Sequence, residues 1–401
     1  MNKPNLPNLI KTLPLFGVAK FLDCNLNPVI ERDGQAVRPD GLNLSFLGLL
    51  DRIVLASLET ELPPFRVRGD LYSKRIREWD ETGQQLIVSQ PAYAKKASPN
   101  SAFHGADCLV TRLLPIKDWP SSHPAANMLC FPPHLRLLFD VYFDHPICRN
   151  RQRDLNACAD GTDRSVAEVY NDFVDQFRRA VCASKGLRRA LHNWCLSSRE
   201  NAINLGAYLD ELFAQCSSLT ALHFRLLHTS APVEDPHYAL PTLRACRTKL
   251  LDRMRSNPAL FTNNPGCVWA VLPTLDGRYD LHLTLLLDTA ALQKLLGDKR
   301  VEAERASKAL ADYADLVGAY WVGEITGGQG RYFRADQNGV LYGRDWVHGE
   351  IAAGDIVRRG KLKQTLEYLA MRRALVRLRN EPPGPYFGLF GRGSQGERRS
   401  R

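Results

Sequence analysis

From Tyr279 the chain reads Tyr-Asp-Leu-His-Leu-Thr-Leu-Leu-Leu, alternating polar and apolar before turning wholly apolar. That period of two predicts a strand whose first half carries polar side chains on one face. The run Leu-Thr-Ala-Leu-His-Phe-Arg-Leu-Leu over 219–227 and the apolar stretch Gly266–Leu272 read as two further strands. Asp276-Gly277 between Leu272 and Tyr279 is the signal of a tight hairpin. Helical spacing appears elsewhere. Val166, Val169, Phe173, Phe177 and Val181 follow a capping box at Ser165–Glu168, and Leu205, Tyr208, Leu209 and Leu212 mark a second packing helix. A basic helix carries Arg244, Arg247, Lys249, Arg253 and Arg255, and another spans roughly 301–317. The segment AYWVGEITGGQGRYF reads as strand, glycine turn and strand, and a last helix is expected over roughly 360–379. Strands interleaved with helices around a hairpin predict an α+β fold, a central antiparallel sheet covered by helices.

The first 160 residues show no such period. Prolines break the stretch at Pro63-Pro64, Pro115, Pro120, Pro124 and Pro132-Pro133, which predicts an irregular accessory region. His134, Asp140, Asp144 and His145 lie close in sequence but match no known ligand spacing, so a surface loop is expected. The organisation read from the sequence is therefore an N-terminal region over 1–160, a main domain over 161–380 and a basic Gly/Arg-rich tail over 381–401.

Composition narrows the class. Hydrophobic residues make up 44% and charged residues 24%, within the ordinary globular range. The longest apolar stretch, Phe46–Leu58, contains Asp51 and Arg52, so a core helix is expected there and no membrane partner. The N-terminus has too many prolines for a secretory signal, and the ten cysteines stand singly without a CxxC pair. Small buried thiols in a cytoplasmic protein are the expectation. The net charge of +10 is concentrated: residues 358–401 hold twelve Lys and Arg against three Glu, a net of +9. Such a segment suits a polyanion, because neutralising phosphates releases condensed counterions.

Two places could carry chemistry. Asp280 and His282 share one face of their strand, where a carboxylate and an imidazole can hold a divalent cation. The same pair also suits a surface aspartate beside a core histidine. In the last helix, Leu362, Leu366, Leu369 and Val376 set the apolar stripe, and Tyr368 falls with Lys361, Gln364 and Arg372 on the other side. A phenol among cations could attack a phosphodiester, and an amphipathic surface tyrosine reads the same way. Gly391-Arg-Gly-Ser-Gln-Gly396 matches GxGxxG but opens no helix, so a dinucleotide site is not expected.

Over roughly residues 163–395 the chain resembles the inovirus-type replication-initiator family, the YagK/YfjJ C-terminal domain family. The resemblance rests on four segments in order: SSRENAINLGAYLDELFAQCSSLTALHFRLLH, PGCVWAVLPTLDGRYDLHLTLLLD, GAYWVGEITGGQG and KLKQTLEYLAMRR. The family is similar to the HUH class of rolling-circle initiators, in which two histidines hold a metal and a helix-borne tyrosine cuts single-stranded DNA. The resemblance therefore implies an HUH-endonuclease-like fold. It further implies Mg²⁺ or Mn²⁺ on Asp280 and His282, Tyr368 as nucleophile, Arg372 on phosphate, single-stranded DNA as substrate, and host replication proteins as partners. Four positions depart from the pattern: Asp280 replaces the first histidine, Leu272 and Leu227 replace acidic residues, and Met371 replaces a lysine. These departures admit a second expectation, a non-catalytic DNA-binding replication or regulatory protein on the same scaffold.

Overall fold

The computed structural model describes residues 6–11, 21, 30–32, 35–37, 46–79, 84–103, 129–152, 154–159, 161, 163–228, 236–274, 278–307, 309, 311–337, 346–379 and 381–391. Among them no helix is long and apolar enough to cross a membrane. The chain divides into two compact units, one of residues 1–12, 49–126 and 131–193, the other of residues 13–48, 127–130 and 194–401.

In the first unit, helix α1 (Phe46–Glu59, from Leu49 on) is followed by a hairpin of two 15-residue strands, β1 (Phe65–Trp79) and β2 (Gln85–Pro99), then α2 (Pro133–Asp144) and α3 (Val166–Ala183). The expected irregular region thus contains a long ribbon. A two-stranded ribbon need not bury a whole face, so its sequence is not forced into clean alternation. Leu50, Val54, Phe65, Leu138, Tyr142, Phe173 and Phe177 are buried. The Ser165 capping box forms, with Glu168 Oε2 accepting from Ser165 N at 2.8 Å. The helix it starts belongs to this first unit, although the sequence places a domain start there. His134 lies in a helix, not a loop, fully buried with Nε2 2.7 Å from the Asp51 carboxylate.

The second unit holds the sheet. Its elements are α4 (Leu187–Gln215, from Trp194 on), β3 (Ser218–His228), α5 (Pro236–Ser256), β4 (Gly266–Pro273), β5 (Tyr279–Asp288), α6 (Thr289–Arg305) and α7 (Tyr313–Tyr320). There follow β6 (Gly330–Arg334), β7 (Gly349–Ala352), α8 (Ile356–Leu375) and β8 (Phe387–Phe390). The strands run in the order β7-β3-β5-β4-β8, with β6 also paired to β3, and every pairing is antiparallel. The expected α+β class and antiparallel sheet are present. The β4–β5 hairpin forms from Gly266↔Leu286 to Pro273↔Tyr279; its Asp276-Gly277 turn lies outside the described residues.

Three expectations shift. The segment Ala319–Ile325 is not a strand: α7, capped by Asp312, runs into a π turn at Trp321–Ile325, and only Gly330–Arg334 is extended. Burial of the Trp321 indole, whose Nε1 donates to Leu227 O at 3.1 Å, overrides the β-propensity of the aromatic run. The helix expected over 301–317 is two helices, α6 and α7. Residues 387–390 are not tail but the edge strand β8; residues 392–401, including most of the GxGxxG match, lie outside the described residues.

Candidate functional site

Register places the polar side chains. Arg225 on β3 stands opposite His282 on β5, and His223 opposite Thr284. On the far side Ala270 faces His282 and Leu272 faces Asp280. Side chains two apart share a face, so His223, Arg225, Asp280, His282 and Thr284 form one polar strip, while Phe224, Leu226, Trp269, Leu281 and Leu283 fill the other face. Helix α8 covers the polar strip, since its Arg372 lies close enough to His282 to disfavour protonation of the imidazole. Helix α5 covers the apolar face, with Arg247 stacked on Trp269.

All four residues picked from the sequence come to this strip or its cover, and all are buried: Asp280 is 3% exposed, His282 1%, Tyr368 0% and Arg372 1%. The expected polar outer face at Tyr368 is not found. Helix α8 is buried on more than its leucine stripe, and Phe21 packs on the Tyr368 ring at 5.4 Å between centroids. The Arg372 guanidinium lies beside the phenol and donates to Val376 O at the helix end. Burial pulls the Arg372 guanidinium below the usual arginine range.

The decisive contact involves a residue not singled out from the sequence. Arg225 donates from Nε and Nη2 to Asp280 Oδ2, each at 2.6 Å, and both side chains are buried. The carboxylate is thus committed to a guanidinium. His282 is held well below the usual histidine range, first by burial and then by the charges of Arg225 and Arg372. A divalent cation on Asp280 and His282 would stand against the Arg225 guanidinium that already holds the carboxylate, and near that of Arg372, and in a low-dielectric interior that repulsion is large. In this arrangement the residues do not fit Mg²⁺ or Mn²⁺. Among the described residues no group of three His, Cys, Asp or Glu is placed to hold a metal.

His223 extends the strip. Its Nε2 lies 2.6 Å from Val347 O and its Nδ1 2.7 Å from Thr284 Oγ1. A carbonyl only accepts, so Nε2 carries the proton and Nδ1 accepts from the threonine hydroxyl. Trp346 packs edge-on at 4.9 Å, and burial lowers the imidazole to about 4.

A cavity of about 400 Å³ lies between α4, α8 and the segment 381–387, lined by Ser198, Asn201, Leu272, Ala370, Arg373 and Glu381 among others. Leu369, Ala370 and Arg373 are the α8 residues that line it; Tyr368 and Arg372 do not. The phenol therefore has no opening into this space. Comparison of the chain with protein-family models, curated proteins and solved structures finds no match.

Proposed function

We propose that this protein binds single-stranded DNA without cutting it, as a replication or regulatory protein of a phage or mobile element, on the scaffold of the initiator family it resembles. The observation that carries the non-catalytic part is the buried Arg225–Asp280 pair, which puts a fixed monocation against the carboxylate that a metal would need. The DNA-binding part rests on charge, a net +10 with most of the excess after residue 357. Action in the cytoplasm and contact with host replication proteins belong to the same reading.

One observation favours nicking instead: Asp280, His282, Arg372 and Tyr368 gather on one side of the sheet, the group the family resemblance names. In that reaction the Tyr368 oxygen would bond to phosphorus, the 3′ oxygen would leave with a proton, and a 5′ phosphotyrosine would remain. The step requires a phosphodiester within bonding distance of a phenol that is fully buried and packed under Phe21. Fluorescence anisotropy with a labelled single-stranded oligonucleotide, titrated from about 50 to 200 mM salt, tests the proposal. Binding that weakens steeply with salt is expected; failure to bind at the lowest salt would overturn it.

A further inference from the structure

The arginines of α5 are not simply solvated. Arg247 Cζ sits 4.1 Å over the Trp269 ring and Arg255 Cζ 4.4 Å over the Phe390 ring, while Arg373 of α8 sits 4.2 Å over Tyr386. The three rings follow the edge strand. Tyr386 O accepts from Val271 N at 2.9 Å just before β8, Gly388 pairs with Trp269, and Phe390 pairs with Cys267. The Trp269 indole lies across Gly388, where a Cβ would fall 2.4 Å from Cζ2, so the indole takes the place of a side chain at that position. Aromatic rungs therefore stand at 386, 388 and 390, every second residue from the one before the outermost strand β8 to its end, about 6.8 Å apart. Each rung carries one of these guanidiniums. Arg244 also reaches Tyr386, at 4.9 Å, but donates Nη1 to Pro383 O and braces the turn.

A stacked guanidinium is planar, weakly hydrated and held in one rotamer, so little side-chain entropy is left to lose on binding. Its N–H edge suits a phosphate oxygen, and its outer plane suits the face of an unpaired base. A duplex presents no such face. Two carboxylates accompany the row, Asp252 at 3.6 Å from Arg255 with both largely exposed, and Glu381 at 3.0 Å from Arg373. The surface stays cationic once Arg244 and Arg247 are counted.

We infer that the β8 edge, with Arg247, Arg255 and Arg373 stacked on Trp269, Phe390 and Tyr386, is a binding surface for a single nucleic-acid strand, phosphates on the solvent-facing guanidinium N–H groups, which for Arg247 is the Nη2 side because Nε and Nη1 are buried, and bases against the outer planes. The inference rests on the proposed single-strand binding and assigns it to a place other than the polar strip and the C-terminal residues after 391.

The test uses the full chain, a labelled oligo-dT and a salt series, comparing wild type with Arg247→Gln/Arg255→Gln. A second variant, Arg188→Gln/Arg189→Gln, removes equal charge from α4. Removing two phosphate contacts should lower affinity about tenfold and make the slope of log affinity against log salt shallower by about 1.4, at roughly 0.7 per contact for a single strand. The α4 variant should keep the wild-type slope. Unchanged slope in Arg247→Gln/Arg255→Gln, with wild type binding normally and both variants melting as wild type does, overturns the assigned surface and leaves single-strand binding standing. No binding by wild type would instead remove the reading beneath it. Equal affinity for a duplex of the same length would overturn the assignment to unpaired bases.

Discussion

Arg225 reaches across from β3 and places two N–H donors on a single oxygen of Asp280, both at 2.6 Å, inside a sheet buried on both faces. Neither charge has water to fall back on. Removing one partner strands the other, and an uncompensated buried charge costs about 3–5 kcal/mol, whereas replacing both with apolar side chains is often near neutral. Arg225→Leu and Asp280→Leu should each lower unfolding free energy by about that amount, and the double variant by much less than the sum. Urea denaturation of the four proteins measures the coupling; additive losses would mean the pair contributes nothing as a pair.

His223 sets a pH dependence. It is neutral in the fold, with its value lowered by burial to about 4, and returns to about 6.5 when unfolded. Between those values the unfolded chain binds a proton that the native chain refuses, so stability falls as pH drops from about 6.5 towards 4 and is insensitive to this group above that window. The slope from one imidazole is at most about 1.4 kcal/mol per pH unit. His223→Gln should be less stable at pH 7 and show a shallower decline between pH 6.5 and 5. Parallel curves for the two proteins would show that His223 does not titrate in this way.

Sequence pattern was enough to find the β4–β5 hairpin, the strand bearing Asp280 and His282, and the helix bearing Tyr368. Alternation and hairpin signals are local, and the sheet buries both faces of those strands, so nothing competes with them. Tyr368 is buried where its spacing predicts a polar face, because a leucine stripe reports one packed side of a helix and α8 is packed on more than one. Arg225 carries a signal of its own: His223 and Arg225 alternate within an otherwise apolar run, as Asp280 and His282 do in theirs. Two such strands, set side by side, pair their polar faces. Which carboxylate a guanidinium then takes depends on register, and register is not local.

Gly388 lets the Trp269 indole lie against the edge strand, and a methyl there would fall 2.4 Å from Cζ2. Gly388→Ala should displace the indole and cost about 1–3 kcal/mol, as overpacking does. The guanidinium of Arg247, stacked at 4.1 Å on that ring, should lose its fixed position with it. Thermal melting together with tryptophan fluorescence checks both effects; an unchanged emission spectrum and melting temperature would show that the ring has room to move.

Tyr368→Phe removes only the hydroxyl beside Arg372. A net loss of about 0.5–1.5 kcal/mol in stability is expected, the ordinary contribution of one hydrogen-bonding group. DNA affinity should not change, because the phenol is fully buried. Anisotropy and denaturation on the same preparation separate the two effects, and a loss of DNA binding in a folded variant would place the phenol in contact with the strand.

A denaturing gel separates holding single-stranded DNA from cutting it. Wild-type protein is incubated with a 3′-end-labelled single-stranded oligonucleotide in manganese and, separately, in magnesium, under salt conditions where anisotropy shows binding. Full-length oligonucleotide is expected in every lane, with no label migrating with protein. A shortened product with label covalently attached to the protein, lost in Tyr368→Phe, would contradict it and establish the phenol as a nucleophile.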